Sequence, residues 1–255
     1  MKFNTLAKAI EIFDLFLKKR DAVDVHEIAG ALHMPKSTAY AYLAFLKDNG
    51  FLDIAEQQGK YRLGLRFLDY ASIVKNQIQL SSIALPHMQD LSKKLQDTVI
   101  LTVRKGGYTF IVEKVERGVG LVYMRNIGDR RPLYCGASSK IHLAHMRENE
   151  VHHYLRQTRL KSYTENTITS REKLFEDLEK IRKRGYAFSN QEIDPGVSGV
   201  AAPIRNNKGE VEAGVCVVGP TNRINYKNQG SIAKSVIDCA ETISRKLEHS
   251  EGKGS

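Results

Sequence analysis

The chain has 255 residues, with 39 Lys+Arg against 29 Asp+Glu and a formal net charge of +10, long enough for two domains at the usual ~100–200 residues each. Its 42% hydrophobic and 27% charged residues are those of an ordinary globular protein, and no apolar run approaches the roughly 18–20 residues of a membrane span. Three cysteines, Cys135, Cys216 and Cys239, are odd in number and share no metal-type spacing, so they argue against a disulfide framework and read as small core residues in a reducing compartment, the cytoplasm.

The opening MKFNTLAKAIEIFDLF carries Glu11 and Asp14 inside its apolar pattern, which predicts an amphipathic helix and not a secretory signal. Asn4 or Thr5 caps it, and Leu6, Ile10, Phe13 and Leu17 form the expected buried stripe. Asp24 then opens a second helix, with Glu27 completing a capping box and Ile28 and Leu32 turned inward. His33 and Met34 make the turn.

Met34 to Gly64, MPKSTAYAYLAFLKDNGFLDIAEQQGKYRLG, predicts a short helix, a stop and a tight hairpin. Pro35 suits the first turn of a helix, and Ala39, Leu43 and Leu46 repeat at the spacing of one inward stripe. That leaves Lys36, Ser37, Thr38, Tyr40 and Ala41 facing out. Asn49-Gly50 ends the helix, and the runs Phe51–Ile54 and Lys60–Leu63 form a wing behind it. From Ala29 to Lys47 and from Gln57 to Leu68 there is no acidic residue, while Lys36, Lys47, Lys60, Arg62 and Arg66 lie inside those windows. A helix fits a DNA major groove, and an acid-free cationic surface fits its phosphates. Pro35, Lys36, Ser37, Thr38, Tyr40, Ala41, Lys47, Lys60 and Arg62 are therefore the candidate DNA-binding residues. The competing reading is a small helical subdomain whose polar face is merely solvated. Whole-chain charge adds little, because residues 1–75 hold 11 Lys+Arg and 9 Asp+Glu, leaving +8 of the +10 beyond them.

From Leu65 the pattern is helical almost throughout, interrupted at Pro86, with Leu65, Leu68, Ile73 and Ile78 at apolar spacing. Leu65–Gln79 reads as a linker helix, or else as part of the next domain's core. Beyond Leu95 come strands at Thr98–Val103 and Tyr108–Val115 around a Lys105 to Gly107 turn, and a third run at Gly120–Asn126. PLYCGASSKIHLA (132–144) passes from extended chain through small residues into a helix. Thr169 to Glu172 reads as a capping box, and its helix ends in Lys180, Arg182, Lys183 and Arg184 before Gly185, a polarity that complements the helix dipole without any ligand. Strands at Tyr186–Ser189, Val200–Ile204 and Val211–Val218 follow, the last two joined at Asn206 to Gly209, and an amphipathic helix spans about Lys227 to Leu247. Residues 250–255 look disordered. The second domain is thus an α+β unit with an antiparallel-rich sheet, one face of which is expected free to host a pocket.

Taken together, PKSTAYAYLAFLKDNGFL with GKYRLG, PLYCGASSKIHLA, the Lys183 to Tyr186 step, GVSGVAAPI and GVCVVGP resemble the IclR family of bacterial transcription regulators over essentially the whole chain. The resemblance implies a winged helix-turn-helix over 1–64, a linker helix over 65–79 and a GAF-like α/β effector-binding domain over 80–249. It also implies dimers, often paired as tetramers, on palindromic operator DNA, and small-molecule effectors, commonly carboxylates. This chain departs from the family pattern at Ala41, where many relatives are basic, at Tyr42, at Ser139, where the family has Gly, and at Asn190-Gln191, where it is acidic.

By position in that pattern, the effector-binding candidates are Ala137, Ser138 and Ser139 at a helix N-terminus, Ser189 at a strand end, Val197 and Gly199 in a glycine loop, and Cys216 with Val218 on the next strand. Free N–H groups at a helix start beside a small-residue loop suit a carboxylate, although the serines also read as routine caps. Tyr123, Arg125 and Arg131 lie on the segment leading in; the arginines either pair with a second acidic group or are ordinary surface charge. A nucleophile reading of Cys135 with His142 and His145, or a metal reading of those histidines with His152 and His153, lacks an activating partner or a completed ligand set. The expectation is a transcription regulator, repressor or activator, whose operator affinity a small organic acid modulates, with no catalysis, metal, cofactor or membrane. The alternatives left open are an enzyme built on the second domain and a sequence-indifferent DNA architectural protein.

Overall fold

A computed structural model describes residues 4–57, 59–77, 79–116 and 125–251. Tyr123 and most of the 120–126 run lie outside them. The chain divides into two compact units, Met1–Gln77 and Ile78–Ser255.

The first unit holds α1 (Asn4–Lys19), β1 (Val23–Asp24), α2 (Val25–Ala31), α3 (Lys36–Asp48), β2 (Leu52–Ile54), β3 (Lys60–Leu63) and α4 (Arg66–Gln77). The Asp24 carboxylate accepts from the N–H groups of His26 and Glu27, and Glu27 accepts the Asp24 N–H, so the expected capping box starts α2. His33 turns the chain in the left-handed region, at φ +49. Ala39, Leu43 and Leu46 face the core together with Ile12, Phe16, Val23, Val25, Ile28, Ala29 and Leu52. β3 pairs with β2 on one side and with the two-residue β1 on the other, in the order β1-β3-β2. Gly64 lets the hairpin close: its N–H donates to Phe51 at 2.8 Å, and a Cβ there would overlap the Gly50 carbonyl.

One expectation fails here. The buried stripe of α1 is Ile12 and Phe16, with Phe13 half-buried, while Leu6, Ile10 and Leu17 are exposed. Both stripes satisfy a 3.6-residue period, and the pattern alone does not say which one meets the core. The helix α4, on the segment read as a linker helix, packs against the first unit. Phe67 meets Phe13 edge-on at 5.1 Å, Tyr70 stacks on Phe51 at 6.0 Å, and the Arg66 guanidinium covers Phe51 at 4.6 Å while donating to the Asn49 carbonyl at 2.7 Å. These contacts fasten the helix to the first unit.

The second unit holds α5 (Gln79–Leu95), β4 (Thr98–Lys105), β5 (Tyr108–Val115), β6 (Arg130–Pro132), α6 (Ala137–Ala144), α7 (Glu148–Gln157), α8 (Arg171–Arg184), β7 (Ala187–Asn190), β8 (Val197–Arg205), β9 (Val211–Pro220) and α9 (Gln229–Glu251). Among the described residues six strands form one antiparallel sheet, ordered β6-β5-β4-β9-β8-β7. Strand alternation sends Val99, Leu101, Val200, Ala202, Val215 and Val217 toward α5 and α9. The opposite set, Ile100, Ala201, Cys216 and Val218, packs under α6 and α8. Neither face is free, contrary to expectation, because both alternating sets are apolar and each must be covered.

Other differences are local. α5 runs through Pro86, whose ring is on the exposed side while Ala84, Met88 and Leu91 are buried; water can satisfy the carbonyl a proline leaves free. The cap of α8 is Ser170, one residue beyond Thr169, and Gly185 ends it at φ +78. α7 was not expected. α9 continues through Ser250 and Glu251, and 252–255 lie outside the described residues. β8 begins at Val197, so the expected glycine loop is strand.

His142 is buried, with Nε2 3.0 Å from the Thr102 hydroxyl. Burial first, then Arg104 and His145, push its pKa down to about 3. Above the ordinary histidine value of 6.5 both states are neutral. Below it the unfolded chain takes a proton that the folded one refuses, so stability falls with pH by about 1.4 kcal/mol per unit until about pH 3. Between pH 7.5 and 5.5, His142→Gln is expected to lose about 1.4 kcal/mol less stability than the parent, read by calorimetric unfolding of both proteins.

Candidate functional site

Two surfaces gather the nominated residues. In the first unit Pro35 precedes α3 with φ −58, and Lys36, Ser37, Thr38, Tyr40, Ala41 and Lys47 are exposed along it. Its first turn contains no acid, so its free N–H groups and Lys36 present positive potential. Tyr42 is not part of this face; its hydroxyl donates to the Thr5 carbonyl of α1 at 3.3 Å. The wing is less bare than the sequence window suggests. Lys60 is registered against Asp24 and Arg62 against Asp53, so carboxylates distant in sequence lie directly across the ladder. Arg66 is committed to Phe51 and Asn49.

In the second unit a narrow cavity of about 40 Å³ lies between the start of α6 and the β7–β8–β9 end of the sheet. Ala137, Ser138, Ser189, Val197, Gly199, Cys216 and Val218 line it, with Gly136, Ile193, Asp194 and Ser198. Register explains the grouping: Ser189 pairs with Gly199 and Gly199 with Val218, a row across three strands. A Cβ on Gly199 would sit 3.3 Å from the Val217 carbonyl oxygen, 3.4 Å from Cys216 Sγ and 3.7 Å from Ala137 Cβ, so the neighbouring strand crowds it more than the helix does. Gly136 precedes α6 at φ +82, with the Ile193 side chain packed where its Cβ would be.

Three nominated residues stand elsewhere or nearby. Ser139 is fully buried on the far side of α6, its hydroxyl 2.7 Å from that of Thr109 on β5. Arg131, registered against Thr109, does not line the cavity, and its buried Nε and Nη2 have no hydrogen-bond partner among the described residues. Arg125 reaches the cavity wall, donating to Asp194 Oδ1 at 2.7 Å.

Behind the cavity sits a group that sequence reading missed. Lys140 Nζ, 1% exposed, lies 2.6 Å from Asp177 Oδ2 of α8 and 2.6 Å from Glu192 Oε1. Burial alone would depress the ammonium; Glu192 and Asp177 outweigh it and hold its pKa above the ordinary lysine value. The other Glu192 oxygen accepts the Gly136 N–H at 3.0 Å. One ammonium thus ties the start of α6 to the segment that brings Ile193 and Asp194 to the cavity. The available signal was a lone Lys in a small-residue helix, and its partners 37 and 52 residues away are not readable as a pair.

Among the described residues no group stands where it would activate a nucleophile. Burial pushes the Cys135 and Cys216 thiols up to about 12, and a thiol rather than a thiolate is a poor nucleophile. His142 faces Thr102, and His145 Nδ1 lies 2.9 Å from the Ile141 carbonyl.

Comparison with known proteins decides the family. The IclR helix-turn-helix domain matches residues 5–53, and the C-terminal domain of the bacterial transcriptional regulator IclR matches residues 73–245. The chain belongs to the IclR family. It is 31% identical to the HTH-type transcriptional regulator KipR of Bacillus subtilis over 96% of this chain and 98% of that one. Its fold matches the crystal structure of the Thermotoga maritima IclR with a TM-score of 0.77 and 36% identity, covering 96% and 99% of the two chains. It also matches an IclR homolog from Microbacterium hydrocarbonoxydans, solved in complex with 4-hydroxybenzoate, with a TM-score of 0.83 and 23% identity over 96% and 99%. The protein is therefore an IclR-family transcriptional regulator with a helix-turn-helix for DNA, and its relatives are named as regulators, not enzymes. Among the described residues of this IclR-family chain, no helix is long and apolar enough to cross a membrane.

The buried ion group should dominate the local energetics. Lys140→Met strands two inward carboxylates, and breaking such a pair from one side costs about 3–5 kcal/mol. Thermal unfolding of the variant should show a loss of that order, whereas an unchanged midpoint would mean that the carboxylates find other partners.

Proposed function

We propose that this regulator reads a palindromic operator with the N-terminal half of α3 and its wing, as a homo-oligomer, and that a small organic acid held at the start of α6 shifts its operator affinity. The observation that carries the effector half is the cavity: seven residues nominated from sequence position line one space, at a helix start where N–H groups favour a carboxylate. That a fold neighbour was solved with 4-hydroxybenzoate, itself a carboxylic acid, supports the same class. A ligand moves the equilibrium only by binding one arrangement better than the other. The anchoring of α4 by Phe67, Tyr70 and Arg66 would make it a stiff handle on the DNA-reading unit.

The oligomer half rests on the outward side of α1. Leu6, Ile10 and Leu17 are 58–65% exposed, an apolar face that a second copy would cover in a symmetric dimer. Two α3 helices in such a dimer would meet half-sites about one DNA turn, or a multiple of it, apart. Such a protein works where the chromosome is, in the cytoplasm.

For DNA, Lys36→Ala should weaken binding to all duplexes and reduce the slope of log affinity against log salt by about one. Arg62→Ala should do less, since Asp53 already faces it. A salt titration by anisotropy checks both, and an unchanged slope for Lys36→Ala removes that residue from the phosphate contacts. For the effector, a bound acid at one hundred times its Kd should stabilise the protein by about 2.7 kcal/mol. A thermal-shift screen over benzoates, keto acids and sugar acids reads this, and no shift with any acid class rejects the effector reading.

A further inference from the structure

The cavity is too small for the ligand class just proposed. About 40 Å³ is several times below the roughly 300–1,000 Å³ of ordinary small-molecule pockets. Some wall must yield. The walls from β7, β8 and β9 are paired sheet backbone. The α6 wall is held through Gly136 to Glu192, and Glu192 is held by Lys140 and, at its carbonyl, by the Thr167 hydroxyl at 2.6 Å. The remaining wall is Ile193 and Asp194, in the short connection between Glu192 and the start of β8. Its ends are fixed, since the Gln191 N–H donates to the Val197 carbonyl at 2.9 Å and the Gln191 carbonyl accepts from Thr164. Between them, Ile193 packs on Gly136, and Asp194 is held from outside by Arg125 Nη2 at 2.7 Å.

We propose that Asp194 is a built-in stand-in for part of the effector: its carboxylate occupies the seat at Arg125 that a second acidic group of the effector takes when Ile193 and Asp194 give way. The effector is then a compact diacid, one carboxylate at the start of α6 and the other on Arg125. The inference rests on the effector reading above and adds the ligand's second anionic group and the residue that selects it. The charge logic is direct. A monoacid that displaces Asp194 leaves the Arg125 guanidinium without its partner, whereas a diacid replaces one carboxylate by another and keeps a charge-assisted bond on the fork. Arg125 and Asp194 are part-exposed, at 24% and 35%, so replacing either leaves the core intact.

The test uses the full-length protein and isothermal titration with matched acids: terephthalate against benzoate, and glutarate against pentanoate. The parent is expected to prefer the diacid of at least one pair. Arg125→Ala should weaken that diacid about ten-fold or more, the scale of one charged hydrogen bond, and leave its monoacid within about two-fold. Arg125→Lys should recover part of the loss, and Asp194→Asn, which vacates the seat, should tighten the diacid several-fold. Equal weakening of diacid and monoacid in Arg125→Ala, or tighter monoacid binding in the parent, would overturn the assignment of Arg125 while leaving a carboxylate effector in place. Failure of every acid to bind the parent would overturn both that assignment and the effector reading beneath it.

Discussion

An ammonium placed out of water among three segments organises the second unit. Lys140 contributes nothing to a surface, and its charge is tolerable only because Asp177 and Glu192 both reach it at 2.6 Å. The desolvation of such a group is expensive, so the arrangement is specific rather than merely stabilising: α6, α8 and the segment after β7 must all be in place before the charge is compensated. Glu192 then spends its second oxygen on the Gly136 N–H, which sets the first turn of α6 over the sheet. The cavity exists because these three pieces are held in that order around small residues.

The small residues follow from the same geometry. The row Ser189, Gly199, Val218 runs across β7, β8 and β9, and a Cβ on its central residue would crowd the Val217 carbonyl and Cys216 Sγ. Side chains usual in a two-sided sheet would fill this space, as Ile100 and Ala201 do beside it under the same helices. What is left is a notch with hydroxyls at Ser138, Ser189 and Ser198, a buried thiol at Cys216, and a wall formed by Ile193 and Asp194.

Local chemistry was legible in the sequence, and long-range pairing was not. Asp24 with Glu27, Asn49-Gly50, Gly185 and the Asn206 to Gly209 hairpin each act through neighbours within a few residues, and each does what its pattern predicts. Val197, Gly199, Cys216 and Val218 were readable only by their position in the family pattern, which put the first two in a loop where the structure has strand. The α1 stripe was misassigned because its two apolar faces are equally periodic, and the outer one, Leu6, Ile10 and Leu17, is apolar without contributing to this unit's own core. The wing looked acid-free because a sequence window cannot see Asp24 and Asp53 across the ladder from Lys60 and Arg62. Lys140, Asp177 and Glu192 escaped notice for the same reason, as did Asp194, an unremarkable acid before a proline until Arg125 is found against it.

The helix-turn-helix and the cavity at the start of α6 belong to one chain, and one binding measurement bears on both. Fluorescence anisotropy of the full-length protein at roughly physiological salt would compare a duplex from its own upstream region with a scrambled duplex of equal length, with and without an acid that raises its melting temperature. The account predicts a preference of at least about 10³-fold for the native duplex, changed by the acid. Equal affinity for the two duplexes in both conditions would contradict it.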